Sequence, residues 1–307
     1  MSNIREKHPS PIDLNVFLMV IRKSSFAGAA EELGVSAAYI SKRIRILEEN
    51  FDTCLLHRST RRITLSEDGK LVYQWATRIL SDFDNLYSEL SASRDLIHGS
   101  LKICSSFGFG QAHIGPALST FNHQHPELNI RLDLIDRVVD LVGEGFDIEI
   151  RIGNDLSDNL IARKLADNSR ILCATPQYLA QNGTPTSLHE LINHECLILK
   201  ERNNSFGQWT LYRDKEPQTV NVNGTLSTNS GAIVMQWALE NHGIVLRSQW
   251  EVKPLIEQGK LVQILPEYDQ PANIWAVYQT RLYQSAKMKA CIEFLEDYFS
   301  RYVFIFK

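Results

Sequence analysis

The chain has 307 residues, 44% hydrophobic and 22% charged, with a formal net charge of −4. This is the balance of a globular protein with room for one small and one or two medium domains. No run approaches the roughly 18 apolar residues of a membrane span, and the polar start MSNIREKHPSP lacks a signal-peptide core, so a cytoplasmic protein is expected. The five cysteines, Cys54, Cys104, Cys173, Cys196 and Cys291, are odd in number and scattered, which argues for reduced core residues over a disulfide framework. With no Cys-x-x-Cys and only His123 and His125 as a close histidine pair, neither a metal nor a cofactor is expected.

The net charge is unevenly placed. Between Ser36 and Leu65 lie Lys42, Arg43, Arg45, Arg58, Arg61 and Arg62 against Glu48, Glu49 and Asp52, while the remainder is acidic. A basic end on an acidic body is what a DNA-binding head on a sensor would give, since only the head neutralises phosphates.

Taken in chain order, residues 1–10 read as a polar tail and 11–66 as a small helical domain. Ser25 is an N-cap opening an Ala-rich helix that begins at Phe26, a candidate DNA contact with Ser36 at the start of the next helix, and Gly34 stands where a left-handed residue would end it. Ser36 caps a second helix whose Val35, Ile40, Ile44 and Leu47 should face a core. That leaves Ala37, Ala38, Tyr39, Ser41, Lys42 and Arg45 toward solvent. Short side chains with cations beside them suit a helix lying in a major groove. Arg58, Arg61 and Arg62, set among Ser59, Thr60 and Thr64, read as a basic hairpin after it. The competing reading is two ordinary packed helices.

Ser66 caps a further helix, and residues 67–97 read as a linker. Val72, Ala76, Ile79, Phe83, Leu86 and Leu90 alternate at spacings of four and three, a narrow seam suited to the same helix of a second subunit. At about 1.5 Å per residue such a helix is roughly 40 Å long. Successive major grooves lie about 34 Å apart, so two heads could read two half-sites. The alternative is a seam packed on its own domain.

After His98-Gly99-Ser100 the period becomes extended. Strands are expected near 101–104, 130–134, 148–152, 170–174, 196–199, 225–227, 243–246 and 273–278, with helices between them, an α/β body in which order alone does not decide between one sheet and two. Open α/β sheets hold ligands where strands end and helix N-termini point into a crevice. Ser105, Ser106 and Phe107 follow the first strand in this way, as Thr228, Asn229 and Ser230 follow a later one. Arg137, Arg151 and Arg247 stand near strand ends, where a guanidinium could hold a carboxylate. The rival reading pairs Arg151 or Arg247 with an internal acid such as Glu149 or Glu251.

The segment SFAGAAEELGVS from Ser25, Ser41, Ile44, the Arg-x-Leu-Glu run of Arg45 to Glu48, Leu55, Leu56, Arg58 and the Leu65-Ser66-Glu67-Asp68-Gly69 end resemble the head of LysR-type transcriptional regulators. This chain departs in carrying Ala37 and Ala38 where the family usually has Gln-Pro. The resemblance implies an α+β protein overall, with an N-terminal winged helix-turn-helix, a long linker helix, and a C-terminal two-lobed effector domain like periplasmic binding proteins over 98–307. Lobe I would take about 98–162 and 269–307, and lobe II about 163–268, with crossings near 161–165 and 265–271.

It further implies a transcriptional regulator rather than an enzyme, partnered by promoter DNA, a small-molecule effector, a second copy as dimer or tetramer, and RNA polymerase. The Ser106–Gly110, Ile135–Arg137 and Leu246–Ser248 runs are similar to the subgroup of tartrate and malate regulators, which implies a carboxylate or dicarboxylate effector. The alternatives are a solute-binding protein or an α/β enzyme whose basic helices are structural. No Gly-x-Ser-x-Gly elbow, Walker loop or complete Gly-x-Gly-x-x-Gly supports the enzyme.

Overall fold

The computed structural model describes residues 9–58, 63–91, 97–141, 143–156, 159–200, 206–279 and 285–301; the side chains of 58, 81, 84, 85 and 87–91 fall outside it. Two compact units divide the chain, Met1–Asp95 with Val142–Gly145, and Leu96–Leu141 with Phe146–Lys307.

The first unit is a helical head. Its first helix, α1 (Pro11–Lys23), opens with a reciprocal cap in which Ser10 Oγ accepts the Asp13 N–H and the Asp13 carboxylate accepts the Ser10 N–H. Then come α2 (Phe26–Leu33) and α3 (Ala37–Phe51), followed by a hairpin of β1 (Leu56–Arg58) and β2 (Ile63–Leu65). Phe17, Val20, Ala29, Ile40, Ile44 and Leu47 are fully buried together. Val35, expected in that core, is instead exposed: it lies in the turn before the Ser36 cap, where its N–H bonds to Ala30 O and its side chain points outward.

Helix α4 (Glu67–Ser91) starts at Ser66, whose Oγ accepts the Gly69 N–H at 2.9 Å. The expected seam divides along its length. Val72 and Ala76 pack into the head's own core, so these two belong to the fold of the head. Ile79, Phe83 and Leu86 are exposed, and Leu71 and Trp75 continue that stripe toward the start of the helix. The side chain of Leu90 lies outside the described residues. Helix α1 takes up the inner face of the first turns, which is why the free stripe is displaced by one residue from the heptad expected there.

Among the described residues the second unit carries a five-stranded sheet in one lobe and, in the other, a four-stranded sheet with two two-stranded ones, so the body is not built on a single sheet. In the first lobe β3 (Gly99–Ser105) lies parallel between β4 (Leu128–Leu134) and β5 (Ile148–Ile152). A helical run from Phe107 to Gln124 joins β3 to β4; it comprises α5 (Phe107–Phe109), a π-turn at Gly110–Ile114, and α6 (Gly115–Gln124). The chain adds β6 (Ile161–Ala166) and then leaves for the second lobe through residues 167–168.

There β7 (Ser169–Ala174) leads into α7 (Pro176–Asn182). Next come β8 (Ile198–Leu199) and a hairpin of β9 (Gln208–Arg213) and β10 (Glu216–Asn221), which the sequence reading did not anticipate. Its two-residue turn, Asp214-Lys215, holds both residues at positive φ, a hairpin geometry usually marked by Asn-Gly. A strand β11 (Ser227–Thr228), parallel to β8, precedes α8 (Gly231–Leu239), after which β12 (Val245–Ser248) pairs antiparallel with β7. The lobe ends with α9 (Gln249–Glu257), β13 (Val262–Gln263) and β14 (Gln270–Pro271).

The chain returns through residues 272–273 to β15 (Ile274–Tyr278), which lies antiparallel between β5 and β6, and closes with α10 (Ala286–Arg301). Both crossings therefore fall a few residues beyond the expected ones. They are tied to each other: Asn168 Nδ2 donates to Ala272 O at 2.8 Å, and the Ala272 N–H donates to Asn168 O at 2.9 Å. These two hydrogen bonds hold the outgoing and returning segments side by side at the lobe boundary.

Cys104, Cys173, Cys196 and Cys291 are buried free thiols, and Cys54 is an exposed one. Burial pushes the Cys173 and Cys196 thiols up to about 12 and raises that of Cys291 as well. Among the described residues no helix is long and apolar enough to cross a membrane.

Candidate DNA-reading helix and effector cleft

In the head, α2 ends on Gly34 at φ +65°, a conformation costly for any residue with a Cβ, which lets the chain turn within two residues into α3. Ser36 Oγ accepts the Tyr39 N–H at 3.1 Å and fixes the start of α3. Ile40, Ile44 and Leu47 point inward, so Ala37, Ala38, Lys42 and Arg45 are exposed on the opposite side, with Tyr39 also exposed and Ser41 half-buried beside them. Phe26, at the start of α2, packs half-buried against the head core.

The arginines of α3 divide by role. Arg43 turns back to α1, where it pairs with the buried Asp13 carboxylate and donates to Ser10 Oγ at 2.8 Å. Its charge is spent inside the head. The Arg45 side chain is 70% exposed and, among the described residues, pairs with Glu49 one turn on at 3.4 Å, a contact weak enough to exchange for a phosphate. Arg58 lies in β1 with its side chain outside the described residues, as Arg61 and Arg62 are altogether.

In the second unit the lobes face each other across a cleft of about 80 Å³. Drug-sized pockets start at roughly 300 Å³, so only a small molecule fits this arrangement. Ser106, Phe109, Ile135 and Asp136 line it from the first lobe, and Arg170, Asn229, Arg247 and Trp250 from the second. Arg247 is 8% exposed; its Nε and Nη2 both donate to Glu251 Oε2 in the first turn of α9, at 2.7 and 2.6 Å. A Cβ on Gly231 would stand 2.5 Å from Arg247 Nη2, so the glycine at the start of α8 is what lets the guanidinium lie there. Arg170 Nη1 donates to Gln270 Oε1 at 2.7 Å.

In the antiparallel register Arg170 pairs with Ser248, and Arg247 with Ile171. Paired residues share a face, so the two arginines leave the sheet on opposite faces at the one end where β7 begins and β12 stops. Both reach the same cleft.

Of the residues singled out from sequence, Ser106, Asn229 and Arg247 line this cleft. Ser105 is buried behind it, and Phe107 is exposed with its N–H donating to Asp136 Oδ1 at 3.0 Å. Ser230 adjoins it, its N–H donating to Thr228 Oγ1. Two arginines go elsewhere. Arg137 is exposed and its Nη1 donates to Val138 O. Arg151 is buried against Glu149, with Nη2 to Oε2 at 2.7 Å, which is the internal ion pair of the rival reading; Arg247 has such a pair too, yet remains at the cleft.

Asp136, Arg170 and Trp250 were missed. Asp136 sits in the Ile135–Arg137 run beside a cation that carries the stronger anion-binding signal, and Arg170 opens a strand in the manner of Arg247 closing one. Trp250 has no comparable signal, because it reaches the cleft only through α9.

A model described as LysR substrate binding domain matches residues 94–300, and one described as bacterial regulatory helix-turn-helix protein, lysR family, matches residues 12–70. The chain belongs to the LysR family of transcriptional regulators. It is 51% identical to the HTH-type transcriptional regulator DmlR of Escherichia coli K12, over 94% of each chain. It is 46% identical to the HTH-type transcriptional activator TtdR of the same strain, over 94% of this chain and 93% of that one. Among solved structures it is similar to full-length AphB, a virulence activator of Vibrio cholerae and a member of the LTTR family, with 26% identity, a TM-score of 0.61 and coverage of 94% and 99%. It is also similar to CrgA of Neisseria meningitidis, with 29% identity, a TM-score of 0.59 and coverage of 94% and 98%. This LysR-type regulator thus joins a DNA-binding head to an effector-binding body within one chain.

Proposed function

We propose that this LysR-type regulator is controlled by a small dicarboxylate held in the lobe cleft. The observation that carries the reading is the arrival of Arg170 and Arg247 at one cleft from opposite faces of the same sheet end. Two separated guanidinium groups match a molecule with an anionic group at each end, and each fork can accept a carboxylate through paired hydrogen bonds. Resemblance to the subgroup of tartrate and malate regulators supports the same class.

The effector acts by differential affinity for two arrangements of the lobes, since a ligand that binds both equally shifts nothing. In the head, Ala37, Ala38, Tyr39 and Ser41 meet base edges, and Lys42 and Arg45 meet phosphates together with the basic hairpin. The exposed stripe Leu71, Trp75, Ile79, Phe83 and Leu86 on α4 pairs with a second copy, so that two heads read one operator.

A thermal-shift panel of small carboxylic acids on the full chain tests the effector. A true ligand at about one hundred times its dissociation constant stabilises by about 2.7 kcal/mol. Succinate, malate or tartrate is expected to raise Tm in the wild type and to lose that effect in Arg170→Ala. Stabilisation by none of them, or by monocarboxylates alone, overturns it.

A further inference from the structure

Asp136 is the acidic side chain lining a cleft whose other charged walls are Arg170 and Arg247. A bare dianion gains nothing from a carboxylate at this place and is repelled by it. The placement of the group is specific. Asp136 follows β4, and its Oδ1 accepts the Phe107 N–H at 3.0 Å across the mouth of the helix that follows β3. This single bond orients the carboxylate; among the described residues no other hydrogen bond engages it, so the second oxygen remains an acceptor for whatever fills the cleft. An ionised carboxylate has only acceptor sites, so its complement in a ligand is a donor.

Resting on the dicarboxylate reading above, we propose that Asp136 is the specificity-determining residue that selects a hydroxy-dicarboxylate, accepting the ligand's O–H while Arg170 and Arg247 hold its carboxylates. One remaining oxygen satisfies one O–H. An ammonium in the same place brings three N–H donors and needs further acceptors, which makes the hydroxyl the better match. The physical source of selectivity is the unmet acceptor. When a ligand without a hydroxyl excludes water from the cleft, the Asp136 carboxylate is left beside a second anion with nothing to pair it.

The test is titration calorimetry on the full chain with malate, succinate and aspartate, in the wild type and in Asp136→Asn. The amide keeps an oxygen for the Phe107 N–H and so preserves the local fold, while its charge and its second acceptor are gone. The expected result is malate binding at least about tenfold tighter than succinate in the wild type, with the ratio falling toward one in Asp136→Asn, chiefly through gained succinate affinity. Equal wild-type affinities for malate and succinate overturn the proposal and leave the dicarboxylate reading standing. A ratio unchanged in an Asp136→Asn protein of wild-type Tm also overturns it. Aspartate binding more tightly than malate assigns the donor as an ammonium and overturns the hydroxyl. Binding of none of the three removes the dicarboxylate reading and this proposal together.

Discussion

Trp250 begins the last helix of the second lobe, yet its ring packs edge-on to Phe109 of the first lobe, with centroids 5.5 Å apart and planes at 67°. The same ring meets His113 at 5.2 Å, and it is buried in the first lobe's core. One side chain therefore links the two lobes at the edge of the effector cleft, and any change in their angle must move it.

Replacing Trp250 with Ala removes a large buried ring and is expected to cost about 3–5 kcal/mol of stability by urea unfolding. Trp250→Phe keeps the edge-to-face contact and removes a buried indole N–H that has no partner among the described residues, so a cost below about 1.5 kcal/mol is expected. Equal losses in both variants would show that ring packing between lobes is not what Trp250 supplies.

His113 supplies a pH dependence. Burial lowers its pKa from the ordinary 6.5, so the unfolded chain takes up a proton at a higher pH than the folded one. Its contribution to stability is fully present above pH 6.5 and falls as pH drops below that value. The His113→Gln variant is expected to flatten the slope of unfolding free energy against pH below 6.5, measured by denaturant titration. An unchanged slope would mean that other groups carry it.

Arg43 and Arg45 stand two residues apart and are expected to fail differently. Arg43→Ala strands the buried Asp13 carboxylate and should destabilise the head by about 3 kcal/mol. Arg45→Ala should leave Tm unchanged, weaken operator binding, and lower the salt slope of log affinity by about one. Fluorescence anisotropy across a salt series separates the two effects, and a full salt slope in Arg45→Ala would place that side chain off the phosphates.

The division of the linker helix yields a contrast of the same kind. Phe83→Asp places a charge in the exposed stripe and should shift sedimentation toward monomer with little loss of helicity. Ala76→Asp buries that charge in the head core and should unfold the head, at about 3 kcal/mol or more. A Phe83→Asp protein that assembles like wild type would exclude the stripe as the pairing surface.

Much of this was legible in the chain because the signals are local. Ser25, Gly34 and Ser36 each act within a few residues, through a cap or a positive φ, so the helix-turn-helix could be read directly. The helices and most strands of the body were legible for the same reason. What escaped depends on register and crossings. Arg151 and Arg247 look alike in sequence, each the penultimate residue of a strand with an acid nearby, but β5 runs inside its sheet between β3 and β15, whereas β12 is an edge strand whose end lies at the cleft. Asp136 became visible only when β4 was set beside β3, which puts its carboxylate opposite the Phe107 N–H.

A ligand in the lobe cleft is expected to change how the heads hold DNA. Nuclease footprinting of the operator tests it most directly, using the full chain with and without malate, in the wild type and in Arg247→Ala. Malate is expected to alter the extent or the hypersensitive sites of the wild-type footprint, while Arg247→Ala protects the operator equally well and shows no change with malate. Identical wild-type footprints with and without malate bound, or a normal response in Arg247→Ala, would contradict it.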